Sequence, residues 1–218
     1  MYDYEEALYQ KGLMAICGTD EAGRGPLAGP VVAGAVILDP KYRIEGLNDS
    51  KQLSAKKREF LAIEIKKHAL AYAVAFVNEA EIDRINIYQA SRLAMTQAIA
   101  ALGIRPDFIL SDAMPLPDIQ IPYLAIIKGD ALSASIGAAS ILAKVARDAY
   151  MTAMAKQYPA YGFDIHKGYP TPRHLAALET FGPCPIHRVT YRPVKEAITR
   201  QLTLNLEGET AHDESRHF

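Results

Sequence analysis

Hydrophobic positions fall into short unbroken runs in the first half of the chain and into helical spacing later. Runs at residues 13–19 and 31–38, separated by a turn rich in Gly and Pro, predict two buried strands that pair as a hairpin-like unit. Ser54 stands at an N-cap position ahead of a helix over 55–68 that gathers Phe60, Leu61 and Ile65 on one side, and the run 69–77 predicts a third strand. A helix over 87–102 ends at Gly103, and the Arg105-Pro106 break leads into short strands at 107–111 and 123–127 with a Pro-rich loop between them. From 131 to 157 Ala, Ser, Ile and Leu dominate without a proline, which predicts one long, largely buried helix stopped by Tyr158-Pro159. A loop over 160–171, helices over 172–180 and 193–202, and a polar, frayed stretch over 207–218 complete the pattern. Strands come early and helices accumulate late, so the expected fold class is α/β with a mixed sheet rather than a purely parallel doubly wound one.

The chain has 218 residues, half of them hydrophobic, enough for one domain of ordinary size with a core of its own. No apolar run approaches the roughly 20 residues needed to span a bilayer, and the acidic start Met1-Tyr2-Asp3-Tyr4-Glu5-Glu6 is unlike a secretory signal. The expectation is a cytoplasmic protein without a membrane partner. Cys17 and Cys184 form neither a disulfide framework nor a repeated metal-ligand spacing, and suit a reducing compartment. A net charge of -1 excludes coating nucleic acid through bulk positive charge but leaves room for a local basic groove. The basic residues Lys56, Lys57, Arg58, Lys66, Lys67, Lys144, Arg147, Lys167, Arg173, Arg188 and Arg192 read as solvated faces.

Three apolar strands run into acids: Asp20-Glu21 after Thr19, Asp112 after Ser111, and Asp130 after the 123–127 run. Carboxylates brought to one rim of a sheet supply the oxygen ligands and charge that hold one or two hard divalent cations against a phosphate. Neighbours such as Asp20 and Glu21 face opposite ways in a regular strand, so both serve one site only if the chain turns there, which Gly23 and Gly25 would permit. Asp39, Asp107 and Asp118 read as solvated turn residues. The turn Gly23-Arg24-Gly25-Pro26-Leu27-Ala28-Gly29 fits neither a dinucleotide fingerprint nor a P-loop, because Pro26 and Pro30 lead into β-branched Val31-Val32 rather than a helix. Its glycines suit a close backbone approach to a ligand, with Arg24 as a donor to phosphate or sugar oxygens. His166, His174 and His187 lack paired zinc-ligand spacing and read as polar contacts.

The run from Asp20 to Val31 (DEAGRGPLAGPV) resembles the amino-terminal signature of the type 2 ribonuclease H (bacterial ribonuclease HII) family. The stretches 48–54 (NDSKQLS), 111–113 (SDA), 128–130 (KGD), 138–148 (AASILAKVARD) and 166–171 (HKGYPT) are similar to the family's later motifs, in the same order, so the resemblance spans about residues 14–193. It implies a ribonuclease H-like mixed sheet flanked by helices, with a catalytic core at 1–157, a helical substrate-contacting extension at 158–206 and a flexible tail at 207–218. It also implies an endoribonuclease that cuts the RNA strand of RNA–DNA hybrids and the 5′ side of ribonucleotides embedded in duplex DNA, leaving 5′-phosphate and 3′-hydroxyl ends. The family's four catalytic, metal-binding acids map to Asp20, Glu21, Asp112 and Asp130, with two Mg²⁺ or Mn²⁺ ions implied. Substrate-binding positions map to Gly23, Arg24, Gly25, Lys51 and Tyr169: the glycine turn senses the ribose 2′-hydroxyl, the group that distinguishes RNA from DNA at one nucleotide, and the Tyr169 ring packs on the next deoxyribose. Leu132 stands where the family has lysine and Gly137 where alanine is usual, which touches affinity or stability rather than the acids.

Two other function classes remain open at this stage: another nuclease on the same fold, and a catalytically silent nucleic-acid-binding module. The expected state is a monomer. Residues 201–206 (QLTLNL) resemble the short Gln-Leu-x-Leu-x-Leu peptides that dock on bacterial sliding clamps, with Gln201 making directional hydrogen bonds; the alternative is that Leu202, Leu204 and Leu206, which alternate at strand period, pack on the protein's own surface.

Overall fold

The computed structural model describes residues 1–214 except Asn48, Asp49 and Lys51, with residues 204–214 described as backbone. It divides into two compact units, Met1–Arg24 with Pro30–Ala149, and Gly25–Gly29 with the chain from Tyr150 onward.

The first unit is built on a five-stranded sheet. Strands β1 (Ile16–Ala22), β2 (Val31–Leu38) and β3 (Ala69–Val77) form an antiparallel meander, while β4 (Phe108–Asp112) and β5 (Tyr123–Ile126) run parallel to β1. The order β3-β2-β1-β4-β5 makes the sheet mixed, as the strand pattern implied, and the β1–β2 hairpin pairs as expected. Every residue of β2 is buried, which explains why its sequence reads as a continuous apolar run rather than an alternating one.

Helix α2 (Ala55–His68) starts where Ser54 accepts a hydrogen bond from the Lys57 amide, but its buried side chains are Leu61, Ala62 and Ile65; Phe60 is exposed and lies beneath the Lys57 ammonium. The sequence pattern placed Phe60 on the wrong side of the helix. After β3 comes a short helix that the pattern missed, α3 (Glu79–Ile85), separated from α4 (Ile87–Ala100) by Asn86, whose left-handed φ of 67° kinks the chain and whose side chain caps α4.

The expected long helix begins in two pieces, α5 (Gly129–Leu132) and α6 (Ala134–Gln157), with Ser133 extended between them. An unanticipated amino-terminal helix, α1 (Asp3–Tyr9), explains the break. Its fully buried Glu5 accepts hydrogen bonds from the Ser133 hydroxyl (2.5 Å), the Ser135 amide (2.9 Å) and the Ser135 hydroxyl (2.6 Å), so an acid supplied from far away in sequence caps the start of α6. The backbone of α6 comes down directly onto the sheet because Gly18 and Gly34 leave space there. A Cβ on Gly18 would sit 2.0 Å from the Ser135 carbonyl carbon, and one on Gly34 would sit 2.3 Å from the Ala139 oxygen. Val36, Leu38, Leu61, Ile65, Ala138 and Leu142 then close one core cluster, and Ile16, Leu110, Ile126 and Ile136 a second.

The second unit contains the rest of α6, a single 3₁₀ turn (Pro159–Tyr161), α7 (Phe163–His166), α8 (Pro172–Phe181) and α9 (Arg192–Glu214). Residues 160–171 therefore hold two short helical turns instead of a plain loop, and α9 runs twelve residues past the expected end at 202, as far as Glu214. Ala28, Met151, Tyr161, Phe163 and Ile186 form one core and Leu27, Leu178 and Val194 another, which is how the 25–29 segment belongs to this unit. Arg188, expected on a solvated face, is fully buried and donates through Nε and Nη2 to the Gly29 carbonyl (2.9 and 2.7 Å). In the first unit Arg147 is likewise fully buried, with Nε donating to the Pro30 carbonyl at 3.0 Å. Among the described residues no helix is long and apolar enough to cross a membrane.

Candidate active site

Strands β1, β4 and β5 are parallel, so their carboxyl ends share one edge of the sheet. Thr19 is in register with Ser111, which sets Asp20 beside Asp112 one residue further on, and Asp130 enters from α5 after the turn that follows β5. Carboxylate oxygens of Asp20, Asp112 and Asp130 lie within 4.8 Å of one another, a spacing suited to holding a metal ion. The strand β1 continues through Ala22, with Asp20 opposite Gly34 and Glu21 opposite Ala33, so the chain does not turn at the two acids as the sequence had suggested. Strand alternation applies to them, and Glu21 stands outside the group of three oxygens.

Each acid is held by named partners. Asp20 accepts hydrogen bonds from the Glu21 amide (2.7 Å) and from the Ser140 hydroxyl, which is itself 2.9 Å from the Ser50 hydroxyl. The Gly129 amide donates to Asp112 Oδ1 at 2.7 Å, and a side chain at position 129 would strike Ile136. Glu21 faces Arg24, 3.4 Å away, while its Oε2 is buried with no hydrogen-bond partner. Burial, reinforced by the charges of Glu21 and Asp112, lifts the Asp20 carboxyl well above its ordinary range against the opposing bonds from Ser140 and the Glu21 amide. Burial and the Asp112 charge also raise Glu21, with Arg24 pulling the other way. Buried, mutually repelling, oxygen-only donors with one orphaned oxygen are the surroundings that a hard divalent cation neutralises.

The glycine turn keeps the geometry that its sequence suggested in part. Gly23 has a φ of 104°, and a Cβ there would collide with the buried Arg147 side chain at 2.2 Å. Arg24 is half exposed. Within the second unit a Cβ on Gly25 would lie 3.7 Å from the Tyr169 ring, which is 41% exposed. Lys51 lies outside the described residues. Ser140, which bonds Asp20, and Arg147, which packs against Gly23, were missed; both lie inside the 138–148 stretch, so the motif signal was present while the partners were not.

A mixed sheet that gathers carboxylates at the carboxyl ends of parallel strands suits the class of metal-dependent enzymes that act on phosphate esters. Comparisons with known proteins narrow that class. A ribonuclease HII family model matches residues 17–194. The ribonuclease HII of Idiomarina loihiensis is 57% identical over 183 residues, 84% of this chain and 98% of that protein; the one from Nitrosococcus oceani is 58% identical over 180 residues, 83% and 90% respectively. Among solved structures, ribonuclease H2 from Pyrococcus horikoshii superposes with a TM-score of 0.74 at 30% identity, over 86% of this chain and 98% of that one. A chain of the PCNA:RNase HII complex from Archaeoglobus fulgidus gives 0.71 at 26% identity, over 82% and 95%. The chain belongs to the ribonuclease HII family, and it is a metal-dependent endoribonuclease acting on RNA–DNA hybrids.

Proposed function

We propose that this enzyme cuts the phosphodiester on the 5′ side of a ribonucleotide embedded in duplex DNA, as well as within hybrids, with Asp20, Glu21, Asp112 and Asp130 holding two Mg²⁺ or Mn²⁺ ions. The single observation that carries the reading is the three-carboxylate group within 4.8 Å, with the orphaned Glu21 oxygen beside it in sequence. Bound divalent ions would lower the pKa of the attacking water and stabilise charge on the departing 3′ oxygen. The chain's own residues do the positioning: the Gly129 amide fixes one oxygen of Asp112, and Ser140 with the Glu21 amide fixes Asp20. Arg24, already paired with Glu21, offers a donor to phosphate or sugar oxygens, and the Gly23 and Gly25 backbone would read the 2′-hydroxyl. Lys51 is proposed as a further substrate contact. The Tyr169 ring would pack on the following deoxyribose, where an added hydroxyl is disfavoured. Cleavage of a labelled DNA duplex with one ribonucleotide, read at nucleotide resolution, tests the proposal. A single cut on its 5′ side with 5′-phosphate and 3′-hydroxyl ends is expected, and equal cutting of an all-DNA duplex overturns it.

A sliding-clamp partner is supported by the relative solved in a complex with PCNA and by the 201–206 stretch. Those residues lie inside α9 rather than in a free peptide; Leu202 is 60% exposed, and the Gln201 amide sits where a Cβ on Gly182 would be. Truncation after Arg200 is expected to abolish clamp binding in calorimetry while leaving cleavage of short duplexes intact; failure of the full-length protein to bind removes the partner.

A further inference from the structure

Three histidines that the proposed chemistry does not use, His166, His174 and His187, come together in the second unit, each less than a tenth exposed. The Phe163 ring stands 5.5 to 5.9 Å from all three, and the His166 and His174 rings stack at 4.5 Å. Their hydrogen bonds leave one consistent set of protons. The Tyr169 carbonyl can only accept, so the His174 Nδ1 that faces it at 3.0 Å carries the hydrogen. His174 Nε2 is then bare and must accept from His187 Nε2, 3.1 Å away. That puts the His187 proton on Nε2 and leaves its Nδ1 to accept from the Cys184 amide at 2.9 Å rather than to donate to the Cys184 carbonyl at 3.2 Å. In parallel, His166 Nδ1 accepts from the Gly168 amide (3.2 Å) while its Nε2 donates to the Tyr161 carbonyl (2.7 Å). The His174–His187 pair ends on the Tyr169 carbonyl, and His166 meets the Gly168 amide beside it. Gly168 is pinned again by the Leu27 amide donating to its carbonyl (2.8 Å), and a Cβ on Gly168 would strike the Ala28 oxygen at 2.6 Å.

We propose that this neutral histidine relay is a positioning device for the Tyr169 ring, fixing its backbone from both sides so that the enzyme distinguishes a deoxyribose from a ribose after the cut. The proposal rests on the reading of Tyr169 given above. A second proton on His174 would set its Nε2–H against the Nε2–H of His187 and break the relay. The titratable and charged groups facing the three rings are Tyr161, Asp164, Lys167, Arg173 and Cys184; only Asp164 favours a second proton, and only on His166. Burial accordingly keeps all three neutral, with His174 and His187 lowered to about 4.

The test compares cleavage at a DNA–RNA–DNA junction with cleavage inside a continuous RNA–DNA hybrid. His174→Asn keeps an amide donor near the position of Nδ1, whereas His174→Gln keeps only the end facing His187. His174→Gln is expected to lose junction preference by about 10-fold through misplacement of the ring, with divalent-ion affinity and hybrid cleavage unchanged, and His174→Asn is expected to retain the preference. Equal losses on both substrates in both variants, tracking a fall in melting temperature, would reduce the cluster to core packing. Tyr169→Ala runs alongside: an unchanged junction preference there overturns the Tyr169 reading and the proposal with it, whereas loss in Tyr169→Ala but not in His174→Gln overturns the relay alone. Long-range nitrogen–proton NMR of the unmodified protein reads the tautomers directly. Protons on His174 Nδ1 and on Nε2 of His166 and His187 are expected, and the opposite tautomer at His174 or His187 overturns the relay whatever the kinetics.

Discussion

The carboxylate cluster of the first unit and the histidine cluster of the second are both buried groups of titratable side chains, yet they are built on opposite principles. Around the histidines every ring nitrogen has a hydrogen-bond partner and the neutral state satisfies all of them. Around the acids the partners are insufficient: Asp20 is pushed up by burial and by two neighbouring charges, and Glu21 keeps an orphaned oxygen. One cluster is complete as folded, and the other, on the proposed reading, would be completed by a cation. The difference teaches where stability has been given up for function, because crowded ionised carboxylates raise the energy of the folded protein until positive charge arrives.

The sharpest way to break that comparison is to remove an acid. Asp112→Asn or Asp20→Asn is expected to lower turnover by about 100-fold or more at saturating divalent ion, since the charge that holds the ion is lost. The melting temperature without metal should stay level or rise as repulsion is relieved. Divalent ion should stabilise the unmodified protein by about 3 kcal/mol at 100 times its dissociation constant and stabilise the variants less. Full activity in either variant would remove that residue from the site, and a large fall in metal-free stability would show that the cluster is structural.

Gly18→Ala probes the platform beneath the acids. A Cβ there lies 2.0 Å from the Ser135 backbone, which cannot yield as a flexible side chain would, so α6 must lift from β1. A loss of about 3 kcal/mol in chemical denaturation is expected, with activity at low temperature falling alongside because Ser140 on α6 moves with it. A tolerated alanine would show that α6 can shift without disturbing Asp20.

The two clusters should also respond oppositely to pH. His174 and His187 have folded-state values near 4, below the ordinary 6.5, so the unfolded chain takes up more protons between those limits. Their stabilising contribution is therefore complete above about 6.5 and is lost as pH falls toward 4. Asp20 is raised, so the folded chain holds the extra proton and the penalty of ionising it grows as pH rises out of the ordinary carboxylate range. Denaturation midpoints measured across this interval should fall toward acid, and fall more steeply in Asp20→Asn, where the opposing carboxylate is gone. A flat profile in that variant would mean that the histidines are already accessible to protons.

How much of this was legible in the sequence differs between the two regions in the same way. The mixed sheet, the hairpin and the three clustered acids followed from apolar runs that lead into Asp20, Asp112 and Asp130, because strand order and register act on neighbouring residues. The end of β1 was misread: acids ordinarily stop a strand, but here the ladder continues to Ala22 opposite Val32. Long-range partners carried no local signal. Glu5 meets Ser135 across 130 positions and Arg188 meets Gly29 across 159, so the first looked like part of an acidic end and the second like a surface charge. The histidines showed no ligand spacing, and their hydrogen-bond partners are one another and the backbone.

The smallest expected effect comes from Ser140→Ala, and it sharpens the account of Asp20 most. The Ser140 hydroxyl links Asp20 to Ser50 and opposes the burial that raises Asp20. Removing it takes away a hydrogen bond that favours the ionised carboxyl, so the Asp20 value should climb further. The acidic limb of the kcat/KM profile should then move to higher pH, with activity at a fixed neutral pH down by about 10-fold, the range seen when a group orienting a metal ligand is lost. Raising pH or divalent-ion concentration should recover part of the loss, because either one favours the ionised form. An activity loss independent of both would mean that Ser140 supports the packing of α6 on the sheet and leaves the protonation of Asp20 alone, and Ser140→Thr, which restores the hydroxyl, would then fail to restore the profile.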